Sequence, residues 1–132
     1  MVKRPKRTTH ADRVLHYMKR KNRPLSAYEI LEDLRSEGVT ASTTVYRALE
    51  KLLDSGLIHR IESLNAWTVC CDADHDAAPI FVICDDCGDV KEHIDTNLNR
   101  SIENISKKSG FTAERPIVEI HGRCEDCSPK TN

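Results

Sequence analysis

Four of the six cysteines stand as two Cys-x-x-Cys pairs, Cys84/Cys87 and Cys124/Cys127. That spacing lets both sulfurs of a pair reach one ion, and two pairs offer four thiolates to a tetrahedral centre. Zinc suits such a set because it is borderline-soft and imposes no geometry of its own. Thirty-six residues separate the inner cysteines, more than the roughly 15–20 of a simple zinc ribbon. A strand and a helix are therefore expected between the two knuckles, with the metal pinning their ends together. Redox-active Cys-x-x-Cys is the plainer alternative, and the pairing of two such motifs argues against it. No apolar stretch follows the basic segment Met1–Arg7, so no secretory leader is expected and the cytoplasm is the expected compartment, where thiols stay reduced.

A second set of donors is mixed: His59, Cys70, His75 and Glu92. Taken singly, each has a plainer reading: a solvated histidine, a small buried hydrophobe, a loop residue, a charge on a strand face. Taken together, a nitrogen, sulfur and oxygen set of four again suits Zn²⁺. Cys71, His93 and His121 are weaker alternative ligands. Catalytic zinc keeps an open position with bound water and a nearby base. This set already has four members and no further acid–base constellation accompanies it, so an enzyme and a small-molecule substrate are not expected.

The net charge of −1 conceals a division. Residues 1–60 hold 13 Lys and Arg against 7 Asp and Glu, a charge of +6; residues 61–132 hold 7 against 14, a charge of −7. A polyanion is the natural partner of the basic half. Lys3, Arg4, Lys6 and Arg7 are candidate phosphate contacts. Two Phe, three Tyr and one Trp are too few for a single-strand stacking platform; double-stranded DNA is the expected partner. The longest apolar run, Ala77–Cys84, is eight residues and is broken by Pro79. About 20 are needed to cross a membrane as a helix.

The elements that must position these groups follow from periodicity. A first helix is expected from about Thr9 to Lys21, with Thr9 and Asp12 as a capping box and a stripe of Ala11, Val14, Leu15 and Met18. A second starts at Ser26, whose box with Glu29 is the better one, carries Ala27, Ile30, Leu31 and Leu34, and stops at Gly38. A third starts near Ser42 and buries Val45, Leu49 and Leu52 before Gly56. With Val45 at 0° and 100° per residue, Thr43 falls at 160° and Arg47 at 200°, away from the core, with Tyr46 on the flank. Two helices joined by Gly38–Ala41 form a helix-turn-helix pattern. A hairpin over 57–61 and 66–70 completes a winged helix. Arg47 is then placed to reach guanine O6 and N7, and Thr43, Thr44 and Tyr46 to touch phosphate or a thymine methyl.

Beyond the acidic stretch 72–76, strands at 80–83, 89–94 and 116–120 flank a helix bearing Leu98, Ile102 and Ile105 and ending at Gly110. This ββαβ unit has too few apolar residues to stand alone and calls for a metal, an oligomer or both. The expected fold class is α+β: a winged helix-turn-helix at 1–71, a linker or hinge at 72–76, and a small α/β domain with structural zinc at 77–132.

Four segments occur in an informative order: Ser26-Ala27-Tyr28-Glu29-Ile30-Leu31, Thr44-Val45-Tyr46-Arg47-Ala48-Leu49, Leu57-Ile58-His59-Arg60-Ile61-Glu62-Ser63 and Ile83-Cys84-Asp85-Asp86-Cys87-Gly88. They resemble the ferric-uptake-regulator superfamily of bacterial metal-dependent repressors and, within it, the zinc-uptake-regulator branch. The resemblance implies a homodimer held by the C-terminal domain, two zinc ions per chain, and a zinc-loaded repressor of zinc-uptake genes. It implies structural zinc at Cys84, Cys87, Cys124 and Cys127 and regulatory zinc at His59, Cys70, His75 and Glu92, with Tyr28 and Arg47 contacting bases. A sister regulator sensing iron, manganese or peroxide is the alternative. The His-rich run of iron-sensing members is replaced here by Ala77-Ala78-Pro79-Ile80-Phe81, and the peroxide branch has Asp where Glu92 stands, so zinc is preferred.

Overall fold

The computed structural model describes residues 8–70 and 78–128. The chain is α+β and divides into two compact units, residues 1–73 and 74–132.

In the first unit, α1 (His10–Lys21), α2 (Ala27–Leu34) and α3 (Ser42–Asp54) precede a hairpin of β1 (Ile58–Ile61) and β2 (Ala66–Val69). The capping prediction is reordered. Thr9 makes the full reciprocal box with Asp12, accepting from its N–H at 3.1 Å while the Asp12 carboxylate accepts from the Thr9 N–H at 3.0 Å. Ser26 makes only half of one, accepting from Glu29 N–H at 3.1 Å. The Glu29 carboxylate is instead turned to Arg23, 2.8 Å away. Gly38 takes φ +94° after a 3-10 turn at Arg35–Glu37, a left-handed stop that glycine adopts at no steric cost.

The expected stripes are buried: Val14 and Met18 from α1, Ile30 and Leu34 from α2, Val45, Leu49 and Leu52 from α3, joined by Leu25, Val39, Ile58 and Trp67. Tyr17 is the addition. It lies one turn beyond Val14, is 2% exposed, and donates its hydroxyl hydrogen to the Asp33 carboxylate on α2. Leu15, expected in the stripe, is only half-buried. The hairpin is antiparallel, with Ile58 opposite Val69 and Ile61 opposite Ala66, and turns through Glu62–Leu64 with Asn65 at φ +47°.

The second unit is a three-stranded sheet in the order β4–β3–β5, from β3 (Ile80–Cys84), β4 (Val90–His93) and β5 (Val118–Gly122), with α4 (Thr96–Lys108) in the crossover. β3 pairs antiparallel with β4 and parallel with β5. The last strand starts at Val118, not Pro116; proline has no N–H to give to a ladder. Asp95 caps α4, and Asn99 ties it to the start of β3 through Ala78 N–H at 3.0 Å. The only residues of this unit that are buried among those described are Ile80, Phe81, Ile83 and Cys84. Within α4 none is, and Ile105 is 64% exposed.

Candidate functional site

The parallel pairing of β3 with β5 places Cys84 opposite Gly122, which brings the first knuckle and the approach to the second to the same end of the sheet. Asp85 N–H donates to Gly122 C=O at 2.8 Å and locks the two together. The four sulfurs of Cys84, Cys87, Cys124 and Cys127 lie within 4.8 Å of one another, with Cys87 Sγ and Cys124 Sγ 3.8 Å apart. A tetrahedral zinc with bonds of about 2.3 Å has sulfur–sulfur edges of about 3.8 Å, so the donor set fits.

The electrostatics agree. Backbone N–H groups of Cys87 (3.5 Å) and Cys124 (3.3 Å) point at Cys84 Sγ and draw its pKa down to about 6. The thiol of Cys127, hydrogen-bonded with Cys124 and Cys84, is pushed up to about 12. Four sulfurs this close cannot all hold negative charge without a cation among them. Two polar contacts join the knuckles outside the sulfurs: His121 Nδ1 lies 3.0 Å from the Asp85 carboxylate, and Arg123 Nε pairs with Asp86 at 3.2 Å. His121 thus has a carboxylate partner, which spacing along the chain did not reveal because it depends on the parallel register.

In the first unit, His59 lies opposite Thr68, and Cys70, one residue beyond β2, donates its N–H to Leu57 C=O at 3.0 Å. Cys70 is therefore diagonal to His59 on one face of the hairpin. Their ligand atoms lie within 4.8 Å, both half-buried. In the second unit Glu92 is on β4 opposite Phe81, on the half-buried face with Val90, while His93 points with exposed Lys91 to the other face. His75 and Cys71 lie outside the described residues, as do Lys3, Arg4, Lys6 and Arg7.

The outer face of α3 carries Thr43 and Arg47, both exposed, with Thr44 half-buried and Tyr46 47% exposed. Tyr28 on α2 is 71% exposed. Arg13, Arg23, Arg35 and Arg60 are each held by a carboxylate or a carbonyl. Arg47 makes no ion pair among the described residues, which leaves its five donors available to a base edge or a phosphate. Tyr46 stands edge-on to Trp67, a partner that helical periodicity did not disclose.

Residues 3–121 match the sequence profile of the ferric uptake regulator family. The zinc uptake regulation protein of Escherichia coli strain K12 is 36% identical over 117 residues, covering 86% of this chain and 68% of that protein. A zinc uptake regulator solved in complex with zinc and DNA superposes with a TM-score of 0.84 at 35% identity, over 92% of this chain and 83% of that one. The holo form of XcZur gives 0.81 at 33% identity, over 94% and 88%.

Proposed function

The chain belongs to the ferric uptake regulator family, and from that premise we propose that it is a zinc-responsive transcriptional repressor, acting as a homodimer on operator DNA to control zinc-uptake genes. It is a regulator and not an enzyme. No helix among the described residues is long and apolar enough to cross a membrane, in keeping with a cytoplasmic place of action.

The observation that carries this reading is the His59–Cys70 donor pair on the hairpin of a winged helix. It supports the reading because both residues are candidate metal donors on the hairpin that follows α3. In this reading Cys84, Cys87, Cys124 and Cys127 hold one zinc, and His59, Cys70, His75 and Glu92 hold a second. When bound, zinc neutralises and cross-links the four thiolates at the first set, and at the second acts as an effector ligand. His59 and Cys70 belong to the DNA-binding unit and Glu92 to β4, so filling the second set links metal occupancy to the disposition of the recognition helices. By linkage, whatever factor the metal adds to DNA affinity, DNA adds to metal affinity.

The residues 1–71, 72–76 and 77–132 then serve as DNA-binding domain, hinge and dimerisation domain. The last role is supported by apolar side chains left in solvent in a single chain: Ile105, Phe111, Ile117 and Ile120. A two-fold dimer presents two copies of α3 to half-sites about one turn of DNA apart. Arg47 and Tyr28 read bases there, and Thr43, Thr44 and Tyr46 contact phosphate or a thymine methyl. The test is retardation of promoter DNA by the full chain, with zinc and with a chelator. Retardation confined to the zinc lane is expected; equal retardation in both refutes zinc control.

A further inference from the structure

Trp67 is the chain's single tryptophan and is 4% exposed. It touches α3, the segment that leads into α2, and Arg60 on β1; the two helices carry the DNA contacts of the function proposed above. Its ring meets Tyr46 of α3 edge to face, with centroids 5.9 Å apart and planes at 75°. Across the hairpin it lies opposite Arg60, whose guanidinium sits 5.4 Å from the indole centroid and is itself held by Asn65 (2.8 Å) and Glu62 (3.1 Å) at the wing turn. Its backbone forms a two-bond bridge with Leu25, N–H to C=O at 2.9 and 2.8 Å. Leu25 directly precedes Ser26, the cap of the helix that presents Tyr28.

We propose that Trp67 is a positioning residue for DNA recognition: its indole fixes the Tyr46 ring on the recognition helix and Arg60 on the wing, and its backbone anchors the start of α2. The proposal rests on the DNA-binding reading of α3. Trp67 itself is too buried to reach DNA. It acts by restricting where Tyr46 and Arg60 stand before the duplex arrives, which lowers the ordering cost of binding. The indole Nε1 has no hydrogen-bond partner among the described residues. The ring, and not its N–H, is what matters, so phenylalanine should largely substitute for it.

The probe is a duplex selected from a random-sequence pool by the zinc-loaded full chain, beside a scrambled duplex of equal length. Trp67→Leu should bind the selected duplex about two- to ten-fold more weakly, the range of an aromatic pair, with zinc per chain and scrambled-duplex affinity unchanged. Trp67→Phe should recover to within about two-fold of the parent. Tyr46→Leu should add little once Trp67→Leu is present, because the two side chains act as one unit. A folded Trp67→Leu with undiminished selectivity, or additive losses in the double variant, overturns the proposal. Should Trp67→Leu fail to fold, the parent's own fluorescence decides. Because the indole is fixed before the duplex arrives, saturating selected duplex should leave the Trp67 emission maximum where it stands in the free protein; a shift of that maximum, the sign of a ring that is repositioned on binding, overturns the proposal. A parent that selects no duplex at all overturns the DNA-binding reading itself, a result distinct from either.

Discussion

Replacing Cys127 by serine should unfold the second unit and leave the first standing. Among the described residues of 74–132, the large buried apolar side chains are Ile80, Phe81 and Ile83. At about 1.5–3 kcal/mol each they contribute roughly 5–9 kcal/mol. A four-cysteine zinc centre is worth on the order of 10–16 kcal/mol to the fold of a small domain, so the metal is the largest single stabilising contribution in this unit. The first unit has Val14, Tyr17, Met18, Leu25, Ile30, Leu34, Leu49 and Ile58, all 2% exposed or less, and does not draw on the sulfurs. Serine keeps the size but offers a poor zinc ligand. Hydrogen exchange followed by unit, with zinc counted per chain, reads the outcome. Amides of β3, β4 and β5 should lose protection along with one zinc, while those of α1, α2 and α3 keep theirs. Undiminished protection in β3 together with full zinc content would show that the four sulfurs do not hold the unit together.

Arg47→Ala should weaken binding to the selected duplex by about 1–3 kcal/mol per half-site with zinc content untouched, as measured by fluorescence anisotropy; unchanged affinity removes Arg47 from recognition. Cys70→Ser should leave a folded protein that keeps the four-cysteine zinc but loses the tightening on DNA when zinc is added, a coupling of about 1–3 kcal/mol; full zinc-dependent binding by this variant would strike Cys70 from the regulatory set. Tyr17 is held neutral, its pKa pushed up to about 12 by burial and by the Asp33 carboxylate. The unfolded chain ionises it near 10, so its contribution is intact below pH 10 and is lost as pH rises towards about 12. Tyr17→Phe should cost about 1 kcal/mol at neutral pH and flatten the alkaline fall in denaturation midpoint; a variant with the parent's alkaline profile contradicts that assignment.

Much of the architecture was legible because local signals agreed with one another. Helical stripes bounded by Thr9, Ser26, Gly38 and Gly56 marked three helices, and alternation around a polar turn marked the hairpin. The outward placement of Thr43 and Arg47 followed from 100° per residue alone. The four-sulfur centre was legible because Cys-x-x-Cys spacing is itself a statement about geometry. What stayed hidden depends on contacts between elements. Tyr17 reads as an amphipathic surface residue until α2 brings Asp33 to its hydroxyl. The Glu29 box is broken by a competing Arg23. The His121–Asp85 pair exists only because β5 runs parallel to β3. Likewise Trp67 looks like one more hairpin residue until Tyr46, Arg60 and Leu25 are seen around it.

The central claim is that zinc is the signal. It is tested most directly by titrating the full chain against the selected duplex at buffered free Zn²⁺, Fe²⁺ and Mn²⁺, the iron series under anaerobic conditions. Half-maximal DNA binding should require far less free zinc than free iron or manganese, and Cys70→Ser should abolish the zinc response alone. Activation by iron or manganese at a much lower free concentration than zinc would contradict the account and make the chain a sister regulator for that metal.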